Sequence, residues 1–361
     1  MAQRMVDRGS SQLPSPFPEG WYFVATSQEV RDSEIIVKQW MGEYIVVWCD
    51  EVGAICVAEA YCPHLGSYLG PDTGGRVCDG RLVCPFHGYQ FDAAGQCVAT
   101  PFVAPPRSAR LRTFPTREIC GMIFAWWGIA GREPQWLLPT EEPDQTGWSS
   151  IGFRTMRFAG HPQETTENVV DIAHLRYVHG YDNVNGDYPV LVDGPRLESQ
   201  FDFSRTQSIA GIGSVTLNAS ARAGVFGLGY SFVEGREHSI GMDFRLWVLA
   251  TPVDGRLLDL TLATQIGEMQ HPKRPIIGLR FLPTRLRAPL MNRILGAFQK
   301  GDVQQDAVIW RRKRYQPRPC LCRSDGEIMT YRGYCRQFYP AQEDVLQLPM
   351  EQLTAARLAG R

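Results

Sequence analysis

The sequence predicts an α+β protein in two parts, an all-β domain followed by a mixed domain in which helices flank a run of strands. Three observations carry this. The chain has 361 residues, long for one core and comfortable for two. From residue 21 to 127 it reads as short alternating apolar segments broken by Gly and Pro, which suits small antiparallel sheets. Beyond residue 130 the pattern changes to stretches of helical period around longer β-rich runs.

Residues 16–130 form the expected first domain, on segments such as WYFVATSQEV, EYIVVWCD, ICVAEAYC and GMIFAWWG. Residues 131–147, GREPQWLLPTEEPDQTG, combine prolines with four acids and no apolar period, and read as a linker or domain-crossing loop. Residues 148–345 form the second domain. Its expected elements are a helix over 162–179, strands through SIGMDFRLWVLATPV and RLLDLTLATQIGEM, and a long helix from about 286 to 314.

Composition excludes several classes. A hydrophobic fraction of 44% and a charged fraction of 21% are those of a soluble globular chain. No run of eighteen apolar residues occurs and MAQRMVDRGSSQLPSP is polar, so neither a membrane span nor a signal peptide is expected, and the location is expected to be cytoplasmic. A net charge of -1 gives no reason to expect nucleic acid, and RRKRY at 311–315 reads as a solvated helix face. The ten cysteines lack the dense, even pattern of a disulfide scaffold, which favours metal ligation for the clustered ones.

The cluster lies in CPHLGSYLGPDTGGRVCDGRLVCPFHGYQFD, residues 62–92. Cys62-x-His64 and Cys84-x-x-His87 are two short ligand loops separated by nineteen residues, with Gly66 and Gly88 allowing tight turns. A Cys2His2 set holds zinc or a Rieske [2Fe-2S] centre, in which two thiolates bind one iron and two imidazoles the other. Zinc fingers pair Cys with Cys and His with His along the chain. Here each loop supplies one of each, so two similar loops can clasp a cluster from opposite sides. Cys49, Cys56, Cys78, Cys97 and Cys120 lie outside both loops and read as structural.

A second metal is expected in TENVVDIAHLRYVHG, residues 166–180. His174 and His179 are five apart, which leaves their rings roughly 140° apart on an ideal helix. For both to reach one ion the helix must end or loosen between them, and Gly180 is a suitable stop. Asp171, one turn before His174, is placed to accept the proton of its free ring nitrogen and fix the tautomer. Two imidazoles leave a metal ion short of a further protein ligand, for which a carboxylate is a natural candidate. In KGDVQQDAVIWRRKRY, Asp302 and Asp306 are four apart on one helical face, so periodicity does not choose between them. His161, His238 and His271 match no ligand pattern.

CPHLGSYLG followed by CPFHGYQFD resembles the Rieske domain of the ring-hydroxylating and related non-haem iron oxygenases, and the resemblance runs from Trp21 to Tyr339. ENVVDIAHLRYVH matches that family's mononuclear iron motif, and DAVIW its carboxylate, which implies Asp306 as third ligand with Asp302 as a solvated or capping residue. The spacer between the loops is a few residues longer than usual, the surplus lying in PDTGGRVCDG. Respiratory Rieske proteins carry two further cysteines at the positions of Ser67 and Phe86, so the oxygenase type of cluster is implied. RPCLCRSDGEIMTYRGYCRQFY is similar to the tail of the steroid 9α-hydroxylase and cholesterol 7-desaturase branch, with Cys320, Cys322 and Cys335 as packing residues.

The resemblance implies a helix-grip (START-like) catalytic domain behind the Rieske domain. It implies a terminal monooxygenase that uses O2 and electrons originating in NAD(P)H to hydroxylate or desaturate an apolar polycyclic small molecule, steroid or sterol-like. The chain shows no Gly-x-Gly-x-x-Gly fingerprint and no ferredoxin cysteine run, so a separate ferredoxin reductase or flavin/iron-sulfur reductase is expected to deliver the electrons. A head-to-tail homotrimer is implied too, with Asp171 linking His174 to a cluster histidine, His64 or His87, of the next subunit. Oxidation of a natural-product aromatic or amine, and a plain electron carrier, are the alternatives.

Overall fold

The computed structural model describes residues 15–139, 143–209, 213–271 and 281–339. The expected limit at 345 and residues 140–142 of the expected linker lie outside these ranges. No helix among the described residues is long and apolar enough to cross a membrane.

The first part is built from strands β1 (Gly20–Thr26), β2 (Ile36–Trp40), β3 (Glu43–Cys49), β4 (Ile55–Glu59), β5 (Arg76–Cys78), β6 (Arg81–Val83), β7 (Gln90–Phe91), β8 (Cys97–Ala99), β9 (Thr116–Ile119) and β10 (Met122–Trp127). They make three antiparallel sheets, ordered β1-β10-β9, β2-β3-β4 and β5-β6-β7-β8. The surplus in PDTGGRVCDG is a hairpin: β5 and β6 are joined by Asp79 and Gly80, with φ of 49° and 72°. Two positive φ values match the primed turns whose twist suits a two-residue hairpin, and Asp-Gly is the pair that adopts them at least cost. A Cβ on Gly80 would sit 2.0 Å from the Glu51 nitrogen, so this turn packs directly on the end of β3.

In the second part, β11 (Gly152–Ala159), β12 (Asp182–Asn185), β13 (Leu191–Asp193), β14 (Arg196–Ile209), β15 (Gly213–Phe226), β16 (Tyr230–Glu237), β17 (Met242–Pro252) and β18 (Leu257–Ile266) form one antiparallel sheet. Its order is β11-β18-β17-β16-β15-β14-β12, with β13 also paired to β14. The sheet grips a 27-residue helix, Thr284–Trp310, about 40 Å long at the usual rise. Asn292 of this helix donates to the carbonyls of Ser150 and Thr264, and Gly296 gives close passage to Arg154. This is the helix-grip arrangement.

The two parts share a core. Trp21, Phe23, Phe124 and Trp126 pack with Tyr230, Trp247 and Leu249, and the expected linker supplies Leu138 and Trp136 to the same cluster. Trp21 donates its indole N–H to the Trp136 carbonyl at 3.0 Å, so this stretch is a packed crossing rather than a free tether.

Three expectations are corrected. The helix expected over 162–179 is broken into Pro162–Thr166, a 3-10 turn at Glu167–Val169 and Ala173–Tyr177. The break follows from burial of charge: Glu164 and Glu167 turn inward to Lys313, at 2.6 and 2.9 Å, and Glu167 also pairs with Arg332 at 2.9 Å. For the same reason RRKRY is not a helix face. The long helix ends at Trp310, which stacks on Phe158, and Lys313 folds back to those acids. Cys320 and Cys322 are exposed on the loop between the last two helices, and only Cys335 of that trio is buried.

His161 caps the first of these pieces. Its Nδ1 accepts from the Gln163 N–H at 3.1 Å and its Nε2–H donates to the Ser15 carbonyl at 2.7 Å. Burial pushes its pKa down to about 4, so it is held neutral. An unfolded histidine takes its proton near pH 6.5 and the folded one only near 4, so the unfolded state binds more protons in that window. Stability is therefore full above about 6.5 and is lost as pH falls through 4, by up to about 3 kcal/mol from this group. Thermal melts of wild type and His161→Gln at about pH 7 and about pH 5 check this, the variant showing the smaller acid shift.

Candidate functional site

The two Cys/His loops are near copies of each other. In the first, the Cys62 N–H donates to the Ser67 carbonyl and the Gly66 N–H to the Cys62 carbonyl; in the second, Cys84 pairs with Tyr89 and Gly88 with Cys84 in the same way. Gly66 and Gly88 have φ of 72° and 66°, a left-handed turn that L side chains resist. The loops bring their thiols together inside and their imidazoles together outside. Cys62 and Cys84 are buried, His64 is exposed and His87 half-buried, with ring centroids 4.8 Å apart. Burial, with the neighbouring Cys84, pushes the Cys62 thiol up to about 12, so a thiolate here calls for a cation beside it. A thiol pair and an imidazole pair suit a two-iron cluster with unlike ligands on each iron.

The second group closes on a point. Among the described residues, His174, His179 and Asp306 place one ligand atom each within 4.8 Å of one another. His174 comes from the short helix Ala173–Tyr177, His179 from just beyond its end, before Gly180 at φ 66°, and Asp306 from the long helix. The Tyr177 end is the break that aims both rings inward. His179 Nδ1 bonds Gln305 Oε1 at 3.0 Å, and its Nε2 lies 3.4 Å from Asp306. Burial opposes a charge on His179, but Asp306 and Gln305 outweigh it and raise its pKa. The position between these groups thus favours positive charge, which a divalent ion held by them would supply.

His174 Nδ1 bonds the main-chain carbonyl of Asp171, not its carboxylate. Within a helical turn the carbonyl of residue i points toward i+3 and meets the ring first. The Asp171 carboxyl is raised by burial, against the lowering influence of His174.

Asp302 and Asp306 part company here. Arg205 clasps Asp302 with two N–H···O contacts, at 2.5 and 2.8 Å, and the Tyr181 hydroxyl donates to it at 3.2 Å. Its charge is spent on that pair. Among the described residues, Asp306 receives the Asn168 amide, at 3.3 Å, and faces His179. Arg205, Tyr181 and Gln305 were not picked out by sequence reasoning, since none stands in a ligand spacing. Asn168 lay inside the quoted motif without a role.

The three residues border a cavity of about 250 Å³ between the sheet and the long helix. Phe201, Phe203, Val233, Phe244, Leu246 and Leu295 supply apolar wall, so an apolar molecule held in the cavity would lie beside His174, His179 and Asp306.

Comparison with known proteins identifies these parts. Residues 20–115 match the Rieske [2Fe-2S] domain, and residues 125–339 match the 3-ketosteroid 9alpha-hydroxylase C-terminal domain. Cholesterol 7-desaturase of Bombyx mori is 29% identical over 95% of this chain and 75% of its own length. The oxygenase component of 3-ketosteroid-9-alpha-monooxygenase of Rhodococcus rhodochrous is 26% identical over 95% of this chain and 88% of its own. Dicamba monooxygenase bound to 3,6-dichlorosalicylic acid has the same fold, with a TM-score of 0.67 at 18% identity over 93% of this chain and 98% of that one. A Rieske [2Fe-2S] cluster and a mononuclear non-haem iron are the cofactors of such enzymes, and an oxygenase component takes its electrons from a separate reductase. With its catalytic half matched along most of its length, the chain belongs to the Rieske oxygenases of the 3-ketosteroid 9α-hydroxylase family.

Proposed function

We propose that this terminal oxygenase hydroxylates or desaturates a steroid or sterol-like polycycle in the cytoplasm, with electrons from an NAD(P)H-dependent ferredoxin or flavin/iron-sulfur reductase. The observation that carries the reading is an apolar cavity bordered by His174, His179 and Asp306, in a chain whose relatives are named for cholesterol and 3-ketosteroids. When bound, the cluster stores and passes single electrons and the iron activates O2. Cys62, Cys84, His64 and His87 of the domain at 16–130 are the cluster ligands. His174, His179 and Asp306 of the domain at 148–345 are the iron ligands. Gln305 and the Asp171 carbonyl hold the two imidazoles with Nδ1 protonated, which turns each Nε2 lone pair inward. The apolar wall excludes water from the reacting carbon.

A head-to-tail homotrimer is part of the proposal. Exposed His64 with Leu65 and Phe86 beside the two cluster histidines makes an apolar rim on which the neighbour's iron domain can seat, and a heterologous contact closes into a ring after three copies. The test is product formation from a steroid panel with NADH and a reductase. Gain of one oxygen or loss of two hydrogens in a steroid supports the reading, and turnover confined to simple aromatics or amines overturns it.

The cluster ligands are checked separately. His64→Cys or His87→Cys is expected to abolish the normal Rieske EPR signal and lower the midpoint potential, because imidazole keeps the cluster's net charge less negative than an all-thiolate set does. Unchanged g-values in either variant would show the ligands to be others.

A further inference from the structure

Within the cavity wall, two polar atoms lack a hydrogen-bond partner among the described residues: Ser231 Oγ and Gln299 Oε1, both shielded from solvent. Ser231 is only 4% exposed, and its apolar surroundings make an unpaired hydroxyl costly. A native core seldom leaves such groups orphaned without a use for them.

Their placement makes one use plain. Ser231 is the cross-strand neighbour of Val248, on the strip of sheet that also carries Val233 and Leu246. Val248 and Val303 pack on the same cluster, which includes Leu260 and Ala307, so Ser231 lies across from the last turns of the long helix. Gln299 is one turn before Val303 on that helix, and seven residues, about 10 Å along the axis, before Asp306. Two orphaned polar groups thus stand on the sheet wall and the helix wall of a largely apolar cavity, Gln299 about two helical turns from Asp306.

We infer that Ser231 and Gln299 recognise an oxygen function of the substrate, a hydroxyl or ring ketone, and so set which carbon lies at the iron. Ser231 fits either chemistry, because a serine hydroxyl donates or accepts, whereas Gln299 Oε1 only accepts and so takes a substrate O–H. This deepens the proposed steroid reading and rests on it for the identity of the rings, though not for the polar contact itself.

The test is equilibrium dialysis of the anaerobic, cofactor-loaded protein without reductase, so that binding and not turnover is read. The probes are cholesterol and cholestenone against oxygen-free cholestane, and phenanthrol against phenanthrene, all carried in cyclodextrin. Wild type is expected to prefer the oxygenated member by about tenfold, the size of one well-made buried hydrogen bond. Ser231→Ala or Gln299→Leu should close that gap while binding of the hydrocarbon holds, and Ser231→Thr, which keeps the hydroxyl, should retain it. A gap that survives both substitutions overturns the inference, as does an equal loss for oxygenated and oxygen-free probes, which is the mark of a merely structural role. A gap seen and closed with phenanthrol, in a protein that binds no steroid, upholds the contact and defeats the steroid reading. Absence of any preference in wild type with either ring system overturns the contact.

Discussion

Asp306→Ala is expected to empty the mononuclear iron position while the brown cluster stays, taking iron from about three to about two per chain. Asp306 is the only anionic member of the set that closes within 4.8 Å, and without it two neutral imidazoles make a poor site for Fe(II). Product formation should fall by at least about 100-fold, since loss of a mere supporting contact to a metal ligand already costs 10- to 100-fold. Asp302→Ala separates the two acids. It should keep most of the iron but lower the melting temperature, because it strands the Arg205 guanidinium with 15% of its side chain exposed. Breaking a buried pair from one side costs about 3–5 kcal/mol, an upper figure here since Arg205 keeps its contact with the Tyr181 hydroxyl. Iron analysis beside a thermal melt reads both effects. If Asp302→Ala is the variant that loses iron, the ligand assignment on the long helix is one turn out.

Asp171→Asn is expected to fold, stay brown and hold much of its iron, yet lose nearly all product. The substitution leaves in place the main-chain carbonyl that holds His174, so the iron site of the single chain is spared. What it removes is a half-buried negative charge, the group proposed to accept from a cluster histidine of the next subunit. The effect should therefore appear in electron transfer, not in iron content. Stopped-flow oxidation of the reduced cluster in single turnover, together with sedimentation to establish the assembly, separates the two. Near-normal cluster oxidation in a trimer carrying Asp171→Asn, or full activity in a monomer, would rule out transfer between subunits.

The sequence by itself determined the local groups of candidate ligands and the order of the two halves. Cys62 with His64, Cys84 with His87, and His174 with His179 are each contained in a few residues, and a turn brings such neighbours together with no help from the rest of the chain. The primed hairpin at Asp79 and Gly80 is local in the same way, although its residues were read only as a surplus. Tertiary structure decided whatever depends on partners far apart in sequence. Asp302 and Asp306 present one helical face, and no periodicity separates them. What does is Arg205, 97 residues from Asp302, reaching in from the sheet to neutralise one acid and leave the other facing His179. The break in the 162–179 helix likewise answers to Lys313 and Arg332, whose charges draw Glu164 and Glu167 inward. The orphaned Ser231 and Gln299 come from a strand and a helix that meet only once the sheet has closed round the cavity. Propensity and spacing act over a few residues, whereas burial and charge pairing act through space, and these choices waited on the latter.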